Sequence, residues 1–156
     1  MTQNLILVGC GKMGGALLSG WLARGTPRDS VAVIEPMGTA AVARRFGVAA
    51  VATAEALKGA APEVVVFAVK PQGMEAVVPA FRRFAAPETV FLSIAAGRPI
   101  RFFASLLGDR AAVVRSMPNT PAAVGRGITV ACPNAAVTAA QPRRRHRRSL
   151  HKGRRS

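Results

Sequence analysis

Leu5-Ile6-Leu7-Val8-Gly9-Cys10-Gly11-Lys12-Met13-Gly14 is the stretch on which the reading of this chain turns. Four apolar residues run straight into G-x-G-x-x-G, the pattern of a strand that ends in a glycine turn and reopens as a helix. Glycine is needed at each place for a different reason. Gly9 permits the tight turn, Gly11 lets a pyrophosphate approach the backbone, and Gly14 lets helix and strand pack closely. The helix N-terminus then offers N–H groups and a partial positive charge to phosphate. Many glycine turns bind nothing, so the pattern is weak alone. After an apolar strand it predicts a dinucleotide site built from Gly9, Cys10, Gly11, Lys12, Met13 and Gly14.

Outward from that turn, strands and helices alternate. Leu5–Val8, Val31–Glu35, Val48–Val51, Glu63–Val69, Thr89–Ile94, Ala111–Arg115 and Ile128–Cys132 read as strands. Met13–Arg24, Thr39–Phe46, Ala54–Lys58, Gln72–Arg83 and Pro99–Leu107 read as helices, with Met13, Leu17 and Trp21 four apart on one helical face. The valine-rich run 63–69 has the continuous apolar character of a strand buried on both faces. This order predicts an α/β fold of the Rossmann type: a doubly wound, mostly parallel sheet with helices on both sides. Residues 1–140 form one dinucleotide-binding domain on this reading.

Such sheets bind ligands at the carboxyl ends of their strands. Glu35 lies there, 21 residues after Gly14, where a carboxylate accepts hydrogen bonds from ribose hydroxyls and repels a 2′-phosphate. The alternative is a solvated turn acid. Arg44 and Arg45 on the next helix would serve a phosphate, so the choice between NADH and NADPH stays open. Lys70-Pro71 is either a contact to the dinucleotide or the plain end of a strand. Ser93-Ile94-Ala95-Ala96-Gly97 either lets backbone approach a flat ring or packs layers tightly. Arg115-Ser116-Met117-Pro118-Asn119-Thr120-Pro121 holds two prolines three apart, which stiffens the loop that presents Asn119 and Thr120. A rigid polar loop at a strand end is a better site candidate than a connector.

The chain has 156 residues, half of them apolar, which suits one domain with a sizeable core. Its formal charge of +15 is unevenly spread. All seven acidic residues precede residue 110, whereas eight of the 22 Lys and Arg lie in 141–156, with both histidines. Cys10 and Cys132 are the only cysteines; they form no metal pattern and no disulfide framework, as expected of reduced residues in a cytoplasmic protein. No metal site is expected. The N-terminus does not read as a signal peptide, and no segment approaches the about 20 apolar residues that span a bilayer.

Four pieces, G-C-G-K-M-G, A-V-K-P-Q, S-I-A-A-G and R-S-M-P-N-T-P-A-A-V-G, in this order, make the chain resemble pyrroline-5-carboxylate reductase over residues 4–140. The M-P-N-T-P and A-V-K-P pieces are far more specific than the glycine fingerprint. Other reductases of the same fold, such as β-hydroxyacid dehydrogenases or cofactor reductases, are not expected to carry M-P-N-T-P. The resemblance implies that Gly9–Gly14 and Ala68, Val69, Lys70 and Pro71 contact NADPH or NADH. It implies that Ser93, Ala95, Ala96 and Gly97, with Met117, Pro118, Asn119 and Thr120, border the nicotinamide and the substrate. The implied reaction is hydride transfer to the imine of 1-pyrroline-5-carboxylate, giving L-proline. A readily protonated imine needs no dedicated side-chain acid, which accords with a body that lacks histidine and tyrosine.

The resemblance stops at about residue 140. The family continues into a helical domain that dimerises and completes the substrate pocket, and that domain is expected to be missing here. Gln141-Pro142-Arg143-Arg144-Arg145-His146-Arg147-Arg148 begins a basic tail, 141–156, with one large apolar residue, Leu150, and no helical period; it is expected to be disordered. Three readings of the tail stay open. The favoured one is a truncation or frameshift, which leaves a cofactor-binding fragment with little or no activity. The second is a basic arm that binds nucleic acid or an anionic membrane, against which stands its lack of aromatic residues for stacking on bases. The third is a solvated tail with incidental polyanion affinity.

Overall fold

β1 (Leu5–Val8) has parallel strands on both sides, and all four of its residues are buried. An unbroken run of Leu, Ile and Val fits no edge position. Successive side chains point to opposite faces, so β1 feeds two cores: Ile6 and Val8 enter one, Leu5 and Leu7 the other. The structure, a computed structural model, describes residues 3–57, 59–94, 98–117 and 130–133.

After β1 the chain runs through α1 (Lys12–Ala23), β2 (Val31–Ile34), α2 (Thr39–Phe46), β3 (Ala49–Val51), β4 (Val64–Phe67), α3 (Met74–Val77), β5 (Val90–Ser93), α4 (Ile100–Leu107), β6 (Ala112–Met117) and β7 (Val130–Pro133). The sheet order is β3-β2-β1-β4-β5-β6-β7. β1 to β6 are parallel, and β7 pairs antiparallel with β6. The expected Rossmann-type, doubly wound sheet is therefore the architecture found. Its strand order reverses between β1 and β4, the crevice where such sheets take their ligands.

One face is covered by α1 and α2, whose Leu18, Trp21, Val42 and Phe46 pack on Leu7 and Val33. The other is aromatic. Phe67 of β4 is fully buried, edge-to-face with Phe81 at 5.3 Å and stacked on Phe103 at 5.9 Å and Phe91 at 6.1 Å. Thr89, just before β5, is also buried, its hydroxyl donating to the Pro62 carbonyl at 2.6 Å.

Four local expectations need correction. α1 buries Gly14, Gly15, Leu18 and Trp21, while Met13 is exposed and Leu17 only half-buried. The glycines let the helix approach so closely that their face, not the Met13 face, turns inward. Residues 72–83 form no single helix. A 3₁₀ turn at Pro71–Gly73 leads into the one-turn α3, and a 3₁₀ run follows over Val78–Phe84. Pro79 has no N–H for an α-helical bond, and the tighter winding still buries Met74, Val78, Phe81 and Phe84. Ala54–Ala56 is likewise a 3₁₀ turn. Finally, β6 runs past Arg115 to Met117, so Ser116 and Met117 belong to the strand and not to the following loop. Pro118–Pro121 and the tail 141–156 lie outside the described residues. Among the described residues no helix is long and apolar enough to cross a membrane.

Candidate dinucleotide site

The turn after β1 is held by its neighbours. Gly9 has φ +92°, a left-handed conformation that favours glycine, and its N–H donates to the Ile34 carbonyl at 2.9 Å. A Cβ there would stand 2.8 Å from Val69 Cγ1 and 3.1 Å from the Ala68 carbonyl carbon. Gly14 faces the same crowding from the other side: a methyl group would overlap the Gly9 carbonyl oxygen and lie 3.3 Å from Ala68 Cβ. Gly11 is different. It is the N-cap of α1, with φ −76°, and, chain neighbours aside, no described residue comes within 4 Å of its Cβ position.

Gly9 and Gly14 thus close the fold around the turn, and Gly11 leaves the approach from solvent open. Among the described residues no side chain caps α1 and no acid occupies its first turn, so its positive end faces that opening. Lys12 and Met13 are exposed on the same first turn. Open backbone, a helix N-terminus and a basic side chain together fit a pyrophosphate.

β2 delivers Glu35 to the side of this turn. Its N–H donates to the Val51 carbonyl at 2.9 Å, and its own carbonyl accepts from the Thr39 hydroxyl at 2.7 Å. The carboxylate is felt inside the turn. Burial pushes the Cys10 thiol up, the Glu35 charge pushes it further, and the Arg45 guanidinium opposes both. Arg45 rests over the Phe46 ring at 4.8 Å, and Arg44 is exposed beside it.

β4 delivers the opposite wall. Ala68 N–H donates to the Val8 carbonyl at 2.8 Å, which sets Ala68 and Val69 against Gly9. Lys70 follows, exposed, and Pro71 opens the 3₁₀ turn. Ser93 ends β5, buried, in register with Phe67 and Arg115. Met117 ends β6, while Ala95, Ala96, Gly97, Pro118, Asn119 and Thr120 lie outside the described residues. The structure therefore brings the glycine turn, Glu35 and Ala68–Val69 around the carboxyl end of β1.

One residue at this edge was not anticipated. Arg98 donates to the Pro71 carbonyl through Nε at 3.2 Å and Nη2 at 3.0 Å. Its guanidinium lies over the Phe102 ring at 4.5 Å. The only sequence signals were an arginine before a proline and an aromatic four residues on.

Comparison with known proteins bears on the fold and the family. A family model described as NADP oxidoreductase, coenzyme F420-dependent, matches residues 4–97. The chain is 38% identical over 143 residues to a pyrroline-5-carboxylate reductase of Pseudomonas aeruginosa, covering 90% of this chain and 52% of that protein. It is 35% identical over 141 residues to the Escherichia coli protein of the same name, covering 88% and 52%. A solved pyrroline-5-carboxylate reductase from Coxiella burnetii superposes with a TM-score of 0.86 at 25% identity, over 98% of this chain and 57% of that one. The Plasmodium falciparum pyrroline carboxylate reductase, solved with NADP bound, shares the fold with a TM-score of 0.81 at 23% identity, over 98% and 57%. The chain spans about half the length of the curated relatives it matches. With that match running from the start of β1 past the end of β5, the chain belongs to the family described as NADP oxidoreductase, coenzyme F420-dependent.

Proposed function

We propose that this chain supplies the dinucleotide-binding half of a pyrroline-5-carboxylate reductase, an oxidoreductase that acts on a CH–NH substrate in proline biosynthesis. The observation that carries the reading is the open Gly11 cradle between Gly9 and Gly14, in a chain similar to reductases of that name. Bound NADPH or NADH supplies a hydride to the imine carbon of 1-pyrroline-5-carboxylate. Gly9, Cys10, Gly11, Lys12, Met13 and Gly14 hold the pyrophosphate, and Glu35 faces the adenosine ribose. Ala68, Val69, Lys70 and Pro71 back the nicotinamide half. Ser93 to Gly97 and Met117 to Thr120 border the nicotinamide and the substrate. Orientation of the two reactants then supplies most of the rate effect. A cytoplasmic location and assembly of the enzyme through segments beyond residue 140 go with this reading. So does incidental polyanion affinity of the basic stretch 141–156, removable by salt.

The purified chain is expected to bind NADPH or NADH in the micromolar to millimolar range common for such ligands, measured by titration calorimetry. Its reduction of 1-pyrroline-5-carboxylate should be at least about 100-fold slower than that of a full-length relative, because an unpositioned substrate forfeits that much. Absence of dinucleotide binding sinks the proposal. Turnover equal to the relative's sinks the claim that half the substrate site lies elsewhere.

Glu35 gives a second test. A carboxylate beside a 2′-phosphate costs on the order of 1–4 kcal/mol at contact distance, depending on solvent exposure. Glu35→Ser should therefore shift the ratio of NADPH to NADH affinity at least about 5-fold toward NADPH. An unchanged ratio removes Glu35 from the ribose.

A further inference from the structure

We infer that Arg98 is a positioning residue, one that fixes the Lys70-Pro71 turn and through it the nicotinamide half of the dinucleotide groove. This deepens the proposed function and rests on it. The placement follows from the sheet. Glu35 at the end of β2 takes the adenosine side of β1, so the rest of a dinucleotide extends across β1 toward the ends of β4 and β5. The wall there is Ala68-Val69-Lys70-Pro71. Its first two residues are pinned by contact with Gly9. Its last two stand beyond the strand, with Lys70 exposed.

What holds that outer half is Arg98. Two of its N–H groups converge on the Pro71 carbonyl, at 3.0 and 3.2 Å. The Met74 N–H also donates to this oxygen, so one carbonyl gathers the 3₁₀ turn, α3 and Arg98. The arginine is itself immobilised at both ends. Pro99, the N-cap of α4 at φ −73° and ψ 162°, restricts the backbone of the residue before it to extended conformations. Phe102 lies beneath the guanidinium and packs edge-to-face on Phe103 at 5.2 Å. Phe103 is fully buried and stacked on Phe67, the last residue of β4. Arg98 thus closes a loop of contacts from β4, through Phe103 and Phe102, back to the turn that β4 leads into. A planar fork on one carbonyl sets direction as well as distance, which an ammonium does not.

A residue that merely stabilised the domain would affect every part of the cofactor alike. A residue that sets the Lys70-Pro71 turn should matter only to ligands that reach it. The experiment compares the tighter-binding of NADPH and NADH with the matching fragment that lacks nicotinamide, 2′-phospho-ADP-ribose or ADP-ribose. Arg98→Met is expected to weaken the whole dinucleotide about 10-fold and leave the fragment within about twofold, the tenfold corresponding to loss of one charged hydrogen-bond pair. Arg98→Lys should recover part of the loss, since one donor remains but the fork does not. Circular dichroism confirms that both variants fold, and should Arg98→Met not fold, Arg98→Lys carries the comparison. Equal weakening of dinucleotide and fragment, or no change in either, overturns the positioning role. Failure of the unaltered chain to bind dinucleotide and fragment alike overturns the proposed function, and this inference with it.

Discussion

Gly11→Ala and Gly14→Ala are both expected to abolish useful dinucleotide binding, the first in a stable protein and the second in a weakened one. At Gly14 the added methyl overlaps the Gly9 carbonyl oxygen, a backbone atom that cannot swing aside. α1 must move off β1, and with it Leu18 and Trp21. Forced overpacking of this kind costs about 1–3 kcal/mol of stability, and displacement of the helix N-terminus should weaken binding by a factor on the order of 100. At Gly11 the methyl meets no atom of the other described residues beyond its chain neighbours, and the backbone φ of −76° suits alanine. Stability should change by no more than about 1 kcal/mol, the range of N-cap substitutions. The methyl instead occupies the space that a pyrophosphate would enter, so binding should fall at least about 30-fold; this corresponds to about 2 kcal/mol of lost contact. Gly15→Ala is the matched control, because its nearest neighbour is the Phe46 ring edge at 3.9 Å, an ordinary contact. Urea unfolding and calorimetric titration of the three variants separate the effects. A Gly11→Ala protein that binds normally would show that no phosphate lies in the cradle.

Phe67→Ala should be among the most damaging core changes in the chain. The ring is fully buried and touches Phe81, Phe91 and Phe103, so its loss empties the centre of one layer. Phenylalanine-to-alanine changes in cores cost about 3–5 kcal/mol. Against a typical domain stability of about 5–15 kcal/mol, that leaves a chain near its unfolding midpoint in mild denaturant. Phe67→Leu, which keeps most of the volume, should cost well under half as much. The measurement is the urea midpoint of each variant. A cost below about 1 kcal/mol for Phe67→Ala would mean that the aromatic layer collapses to fill the gap. Because Phe67 leads directly into Ala68-Val69-Lys70, the same variant should also lose cofactor affinity.

How far the sequence alone could be read follows from the range of the forces involved. β1, its glycine turn and the start of α1 were legible because three glycines and four apolar residues act on their immediate neighbours. Glu35 was legible through its distance from that turn. The inward face of α1 was not, because helical spacing favoured Met13, Leu17 and Trp21 whereas Gly14 turns its own side of the helix to the sheet. Residues 72–83 are ambiguous in sequence because apolar spacing suits both windings, and Pro79 tips the balance only once Phe81 must reach Phe67 across the layer and Phe84 beside it. Arg98 was invisible for a plainer reason. Its partner is a backbone carbonyl 27 residues away, and every residue has a carbonyl.

Trp21 has a consequence of an optical kind. It is the only tryptophan in a chain without tyrosine, and it is buried on the helix whose first turn forms the cradle. Ultraviolet emission from this protein therefore originates at a single site, on the element that a bound phosphate would load. Reduced nicotinamide absorbs where indole emits and the fragments lacking nicotinamide do not. A label-free titration thus reports in one colour whether α1 stays docked, and by energy transfer whether the nicotinamide end has arrived.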